Sequence, residues 1–341
     1  MSKSSTASSA SSSTPVLVGA GVAWGVVSLL FFLLFGAPGE DGNRANWFLL
    51  GITFLETGAF LIAAVLCFRN WKSSQIVSGR SVWLWIGIGL LSYTFGNVFF
   101  FLWGNVWGLD PAVSLGDFFY ILSYVFLAVG MFKAVLPRRL NLTVPQWLIV
   151  VGIGVAGVLL ALFVNISAAE ATIAEPSPPA PELWLQATAT APAEPAPVEE
   201  AVPAPVEEAV PAPVEAVASP EVASNAPGWA ASLDQALEPL ESFVGLLYII
   251  GDIVLLIIAG TLLVAFWGGR FSQSWKLIAI AAFCLYIADM FFAYAVNVDA
   301  YVEGSLWEAF WTFSAVFFWL GAVVEYGISV NSRRSVRRRK A

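Results

Sequence analysis

The chain contains no histidine. That absence excludes bis-histidine haem, histidine-ligated zinc or copper, and any catalytic Ser-His or Cys-His pair. Cysteine is nearly absent as well. Cys67 and Cys284 lie inside apolar runs, lack CxxC spacing and read as small hydrophobes. Charge is scarce too: 12% of the 341 residues are Asp, Glu, Lys or Arg, against about 25% in a soluble domain. With 58% hydrophobic residues, this excludes a soluble enzyme. No GxxxxGK(S/T) or GxGxxG loop is present to cradle a phosphate. The net charge of -8 argues against a nucleic-acid partner. No metal or cofactor is expected, and the chain reads as non-enzymatic.

What the sequence does have is long apolar runs. Eight are predicted as spans: Val16–Gly36, Trp47–Phe68, Val82–Val106, Leu115–Leu136, Trp147–Val164, Phe243–Trp267, Lys276–Val296 and Leu306–Ile328. Each can cross a hydrocarbon core of roughly 30 Å. The fold class is therefore all-α, a polytopic protein whose first partner is the lipid bilayer. Trp47, Trp83, Trp85, Trp103, Trp107, Trp147, Trp267, Trp275 and Trp307 fall near span ends, as an interfacial aromatic belt.

The connections alternate in sign. Arg69, Lys72, Arg80, Arg138, Arg139, Arg270 and Lys276 flank one set. The other carries Glu40, Asp41, Asp110, Asp299 and Glu303, with Arg44 as its one cation. Cytoplasmic loops carry the excess of Lys and Arg, so both termini are expected in the cytoplasm, in a bacterial plasma membrane or a thylakoid. Residues 1–15 are Ser-rich and expected to be a disordered cytoplasmic end. Residues 16–164 carry the first four-helix repeat and the helix 147–164. Residues 165–239 form a Pro/Ala/Glu-rich outer loop, with PAPVEEAV at 195–202 and again at 203–210. This composition predicts an extended, polyproline-leaning tether. Within it, Gly228–Leu240 suits a short amphipathic helix anchored by Trp229. Residues 240–330 hold the remaining membrane helices. Residues 331–341 form a basic tail suited to anionic lipid or a cytoplasmic partner, and Glu325 is expected to meet it. No catalytic output domain is expected after the tail.

The second half echoes the first. Tyr93, Asn97, Asn105 and Val106 are matched by Tyr286, Asp289, Asn297 and Val298. Ser114-Leu115-Gly116-Asp117 is matched by Ser305-Leu306-Trp307-Glu308. From each carboxylate, Phe, Ser, Phe and Gly recur at the same offsets, as Phe119, Ser123, Phe126 and Gly130 and as Phe310, Ser314, Phe317 and Gly321. Glu56 and Asp252 are each the tenth residue of their span. A duplication into two parallel four-helix repeats, related by an axis along the membrane normal, accounts for these matches.

Ionisable groups within a bilayer cost about 2.5–3.5 kcal/mol each and need a reason. The candidate ligand or ion pocket is Glu56, Asn97, Asp252 and Asp289 with Tyr93 and Tyr286, and with Asp117 and Glu308 near the outer boundary. Tyr248, Ser92 and Thr57 can share hydrogen bonds with them. Asp289 is expected somewhat nearer the outer face than Glu56 and Asp252. No basic residue lies at that depth. The acids serve either as interhelical glue, as a ligand or cation pocket, or as a proton relay.

The run Leu247-Tyr248-Ile249-Ile250-Gly251-Asp252, then Ile253 to Leu256, Ile287-Ala288-Asp289, Tyr301 to Leu306 and Trp307 to Trp311 carry a resemblance, joined by Ser114 to Gly130 in the first half. In these segments the chain resembles the multi-spanning N-terminal membrane sensor region of bacterial diguanylate cyclases and sensor histidine kinases, here without an output domain. The resemblance implies a sensor-like or regulatory membrane module with a cytoplasmic signalling partner. An assembly factor of a membrane complex, and a carrier of protons, cations or a small solute, are the alternatives.

Overall fold

In a bilayer every backbone N–H and C=O must be paired within the protein, and a helix achieves this in one segment. A computed structural model of the chain describes residues 5–39, 44–109, 113–136, 142–174, 225–266, 272–298 and 300–340. The helices among them are α1 (Ser5–Phe35), α2 (Asn46–Lys72), α3 (Arg80–Phe101) and α4 (Leu115–Val135). They continue with α5 (Val144–Ala174), α6 (Gly228–Leu237), α7 (Glu241–Ala265), α8 (Ser272–Asn297) and α9 (Ala309–Lys340). No strand occurs among the described residues. Among the described residues, eight helical segments are long and apolar enough to cross a membrane. The chain is an all-α, multi-pass integral membrane protein.

Several boundaries differ from the sequence expectation. The segment expected to be disordered is helical from Ser5, with Pro15 inside α1, because extending an existing helix adds one hydrogen bond per residue fixed. Likewise α9 continues through the basic tail to Lys340. The expected amphipathic helix is present as α6, with Trp229 against Trp107 at 5.5 Å between ring centroids. Residues 175–224 of the outer loop, including its PAPVEEAV repeats, lie outside the described residues, as do Glu40, Asp41, Asp110, Arg138, Arg139, Trp267, Arg270 and Asp299.

Helices α2, α3 and α4 pack in sequence, and so do α7, α8 and α9. The two trios meet along two seams, α2 on α9 and α4 on α7. Asn70 crosses the first seam, donating from Nδ2 to the Ala322 carbonyl at 2.8 Å. The remaining spans sit differently. Helix α1 packs on α9 and α2, whereas α5 packs on α7 and α8.

Small residues bring the helices together. A Cβ on Gly130 of α4 would stand 2.7 Å from Ile86 Cγ1 of α3, and one on Gly321 of α9 would stand 2.7 Å from Ile278 Cδ1 of α8. Between the trios, the fully buried Trp83 and Trp275 face each other at 5.7 Å, and Phe266 stacks on Trp275 at 5.2 Å. With Ile86, Leu90, Leu127 and Leu262 they fill the end of the bundle that carries Arg69, Lys72 and Arg80. Glu325 is buried at that end. It accepts hydrogen bonds from Ser274 Oγ at 2.9 Å and Ser329 Oγ at 3.3 Å; the side chains of the basic tail that it is expected to meet lie outside the described residues.

Candidate ligand-binding site

Helical periodicity gathers the polar residues of α7 on one stripe. Glu241, Gly245, Tyr248 and Asp252 recur at i, i+4, i+7 and i+11. On α4, Asp117, Tyr120 and Tyr124 do the same at i, i+3 and i+7. These stripes face Tyr93 and Asn97 of α3, Glu56 of α2, Asp289 of α8 and Trp311 of α9 across a cavity of about 660 Å3. The cavity runs from the exposed Glu241 and Ser242 at the head of α7 down to Asp252, which is 1% exposed. Eleven residues separate Glu241 from Asp252, about 16 Å of helix. Below that floor the core is solid around Trp83 and Trp275.

The lining is one-signed. Glu56, Asp117, Glu241, Asp252, Asp289, Glu303 and Glu308 supply seven carboxyl groups, and among the described residues no Lys or Arg lines the cavity. Five tyrosines, Tyr93, Tyr120, Tyr124, Tyr248 and Tyr301, alternate with them.

At the floor, Tyr124 Oη bridges two acids from neighbouring helices, 2.8 Å from Asp252 Oδ1 and 2.5 Å from Asp289 Oδ2. Trp311 Nε1 donates to the other Asp289 oxygen at 2.7 Å. The second Asp252 oxygen, Oδ2, is buried and accepts no hydrogen bond. On the adjoining wall, Tyr120 Oη donates to Asn97 Oδ1 at 2.8 Å, and Asn97 Nδ2 donates to Glu56 Oε1 at 2.8 Å. This relay fixes the orientation of the Asn97 amide, since each end meets a partner of the opposite kind.

Two acids nearer the mouth also start helices. Asp117 Oδ2 accepts from the Ser114 N–H at 2.7 Å and closes a capping box at the head of α4. Its Oδ1 accepts from Tyr248 Oη at 2.6 Å. Glu308 closes the matching box with Ser305. It also accepts the Gly304 N–H, at 2.8 Å on Oε1 and 2.9 Å on Oε2. Gly304 has φ +81°, and a Cβ there would stand 2.7 Å from Phe48 and 2.9 Å from Arg44, so both backbone and space call for glycine. A carboxylate at a helix N-terminus is favoured by the helix dipole. Asp117 and Glu308 thus serve the fold as well as the lining.

Outside the spans, Glu303 and Tyr301 complete the mouth. Burial pushes the Glu303 carboxyl above the ordinary glutamate range, and the Asn105 amide, 3.5 Å away, pulls it partly back. Burial likewise raises the Tyr301 hydroxyl, reinforced by the neighbouring charges of Glu308 and Glu303.

Seven of the eight sequence candidates line this cavity: Glu56, Tyr93, Asn97, Asp117, Asp252, Asp289 and Glu308. Tyr286 does not. Its hydroxyl donates to the Gly157 carbonyl of α5 at 2.7 Å. The spacing explains the difference. Tyr93 precedes Asn97 by four residues, but Tyr286 precedes Asp289 by three, and one residue turns a side chain about 100° around a helix. Asp289 lies at the level of Asp252 rather than above it, since both reach one hydroxyl. Tyr248 shares hydrogen bonds as expected, whereas the Thr57 hydroxyl is buried without a partner. Sequence reading missed Tyr120, Tyr124 and Trp311. The i, i+3, i+7 stripe from Asp117 was the available signal for the two tyrosines.

Among the described residues, no three His, Cys, Asp or Glu side chains converge as a metal site. The carboxylates are spread along the cavity rather than gathered at one point. No protein-family model, no curated protein and no solved structure matches the chain.

Proposed function

We propose that the protein is a non-enzymatic, sensor-like membrane module that receives a cationic solute in this cavity from the outer aqueous phase. One observation carries the reading: a deep cavity whose described lining holds seven carboxyl groups and no Lys or Arg. A low-dielectric cleft of one sign focuses its field and concentrates ions of the opposite sign. The excess of Lys and Arg in the connections at the other end supports an outward mouth and cytoplasmic termini. Occupancy acts on the α4–α7 seam, because Tyr124 of α4 holds Asp252 of α7 and Asp289 of α8. Helix α9 contributes Trp311 to the floor and ends in six cations within residues 333–340. It is the element suited to carry a change of packing to a cytoplasmic partner.

A parallel four-helix repeat belongs to the same proposal. Equivalent Ser-x-x-acid boxes start α4 and α9, and equivalent glycines seat them on α3 and α8. The position of the acids between the two trios also favours a second reading, a carrier of the same cation. The two readings separate in one pair of measurements. A tagged chain is recovered from native membranes in mild detergent, and cation flux is measured in proteoliposomes. A stoichiometric signalling partner without flux supports the sensor. Flux that Asp252→Asn and Asp289→Asn abolish makes the protein a carrier. Neither partner nor flux removes both.

A further inference from the structure

We propose that the ligand of the cavity is an extended aliphatic di- or polyamine, one ammonium group seated at Asp252 and Asp289 and another between Asp117 and the mouth. This rests on the cation-receiving reading above and specifies its ligand.

Three observations narrow the cation. First, the described residues offer no site where three acidic or sulfur ligands converge on a metal. A bare divalent ion needs six or more oxygens within about 2.6 Å. Second, the cavity volume of about 660 Å3 lies in the range of organic-ligand pockets. Third, the acids form two levels. Asp117 and Tyr124 are seven residues apart on α4, about 10 Å of helix. That span exceeds one ammonium group and matches an extended chain with an amine at each end.

The floor is prepared for a donor. Asp252 is 1% exposed and lines the cavity; its carboxyl pairs with that of Asp289, and no N–H or O–H group of another residue type reaches its Oδ2. Two carboxyl groups buried side by side carry a cost that a charged N–H donor shared between them recovers. An ammonium group brings three N–H donors, enough for Asp252 Oδ2 with hydrogen-bonding capacity left for Asp289. Between the two levels the wall is aromatic, with Tyr93, Tyr120 and Tyr248. Ring faces accept both methylenes and a nearby cation. An inorganic monovalent ion would occupy one level only and leave the aromatic wall between the levels without a ligand to cover.

The test is calorimetric titration of the full chain in nanodiscs of zwitterionic phosphatidylcholine, which avoids amine binding to anionic lipid. The probes are spermidine, butylamine, magnesium chloride and tetraphenylphosphonium. Spermidine is expected to bind one to one and at least tenfold tighter than butylamine, with magnesium at equal concentration failing to displace it. Asp252→Asn and Asp289→Asn should each weaken it by about 30-fold or more, as for truncating one partner of a buried charge pair. Glu238→Gln, outside the cavity, should leave it unchanged. A second reading needs no variant. Spermidine should protect Asp252 and Asp289 of the native chain from a hydrophobic carbodiimide, mapped by mass spectrometry. Loss of that protection, equal binding of butylamine, or displacement by magnesium overturns the proposal. Tetraphenylphosphonium binding without spermidine binding also overturns it but leaves the cation-receiving cavity standing. Binding of neither probe removes both.

Discussion

Replacing Tyr124 by Phe removes one hydroxyl from the cavity floor and little else. The ring stays clamped, because it lies against Gly251, where an added Cβ would approach Tyr124 Cδ1 to 2.8 Å, and packs edge-on against Tyr248 at 5.8 Å. The change therefore isolates the contacts of 2.8 and 2.5 Å to Asp252 and Asp289. A hydrogen bond to a charged group is worth about 1.5–3 kcal/mol in water-soluble proteins. Interhelical bonds within membranes average about 0.6 kcal/mol and reach about 1.7. The hydroxyl has one hydrogen for two acceptors, so the two contacts do not add in full. A loss of about 0.6–1.7 kcal/mol is expected from the membrane scale. The assay is reversible unfolding in mixed micelles with increasing dodecyl sulfate, followed by circular dichroism. The same substitution is then made on an Asp252→Leu, Asp289→Leu background. There the hydroxyl meets only apolar groups, and its removal becomes neutral or stabilising, as expected when both partners are gone. An equal cost on both backgrounds, or no cost on the native one, refutes the bridging role of Tyr124.

Other expectations follow from the same contacts. Gly96→Ala would place a Cβ 2.5 Å from the Tyr120 ring. It should weaken ligand binding without touching a charged group, since Tyr120 orients Asn97 and through it Glu56; unaltered affinity in a folded variant contradicts this. Gly130→Ala would bring a Cβ to 2.9 Å from the Ile86 backbone nitrogen, and a cost of about 1–3 kcal/mol by overpacking is expected in the same micelle titration. Glu303→Gln should raise the melting temperature at neutral pH. Burial lifts the native Glu303 carboxyl above its unfolded value, so this group's stability is fully present below the unfolded value and lost as pH rises through the native one. The advantage of Gln over Glu should therefore shrink as the pH falls below the ordinary glutamate range. A constant difference across pH contradicts it.

Hydropathy alone located all eight spans, because crossing a bilayer demands a length and composition that few other functions require. The acids were equally visible, since a carboxylate inside an apolar run has a cost that needs an explanation. The capping boxes at Ser114 and Ser305 could be read as matched words before their geometry was known. What periodicity does not supply is the rotational phase between two helices. Hence Tyr286, one residue out of register with Tyr93, was placed on the wrong side of α8. Tyr124 gave no hint that it would join Asp252 to Asp289, 128 and 165 residues away. Trp311 carries no feature in sequence that singles it out for a site, yet its indole N–H is spent on Asp289. The unlike seats of α1 and α5 also lie beyond the repeat pattern, because both are apolar on all sides and lipid can replace a protein neighbour.

If the cavity beside the head of α7 is aqueous and negatively charged, a thiol placed in it reacts preferentially with cations. Gly245 lines it, and a Cβ added there meets nothing within 4 Å, so Gly245→Cys places a thiol in the cavity without strain. Cys67 and Cys284 are both buried and contribute little background. The rate of modification is compared for a cationic and an anionic methanethiosulfonate of like size, at low ionic strength. The account predicts that the cationic reagent reacts at least about tenfold faster, as field focusing in a one-signed cleft requires, with the preference shrinking as salt is added. Equal rates, a faster anionic reagent or an unreactive thiol would contradict it.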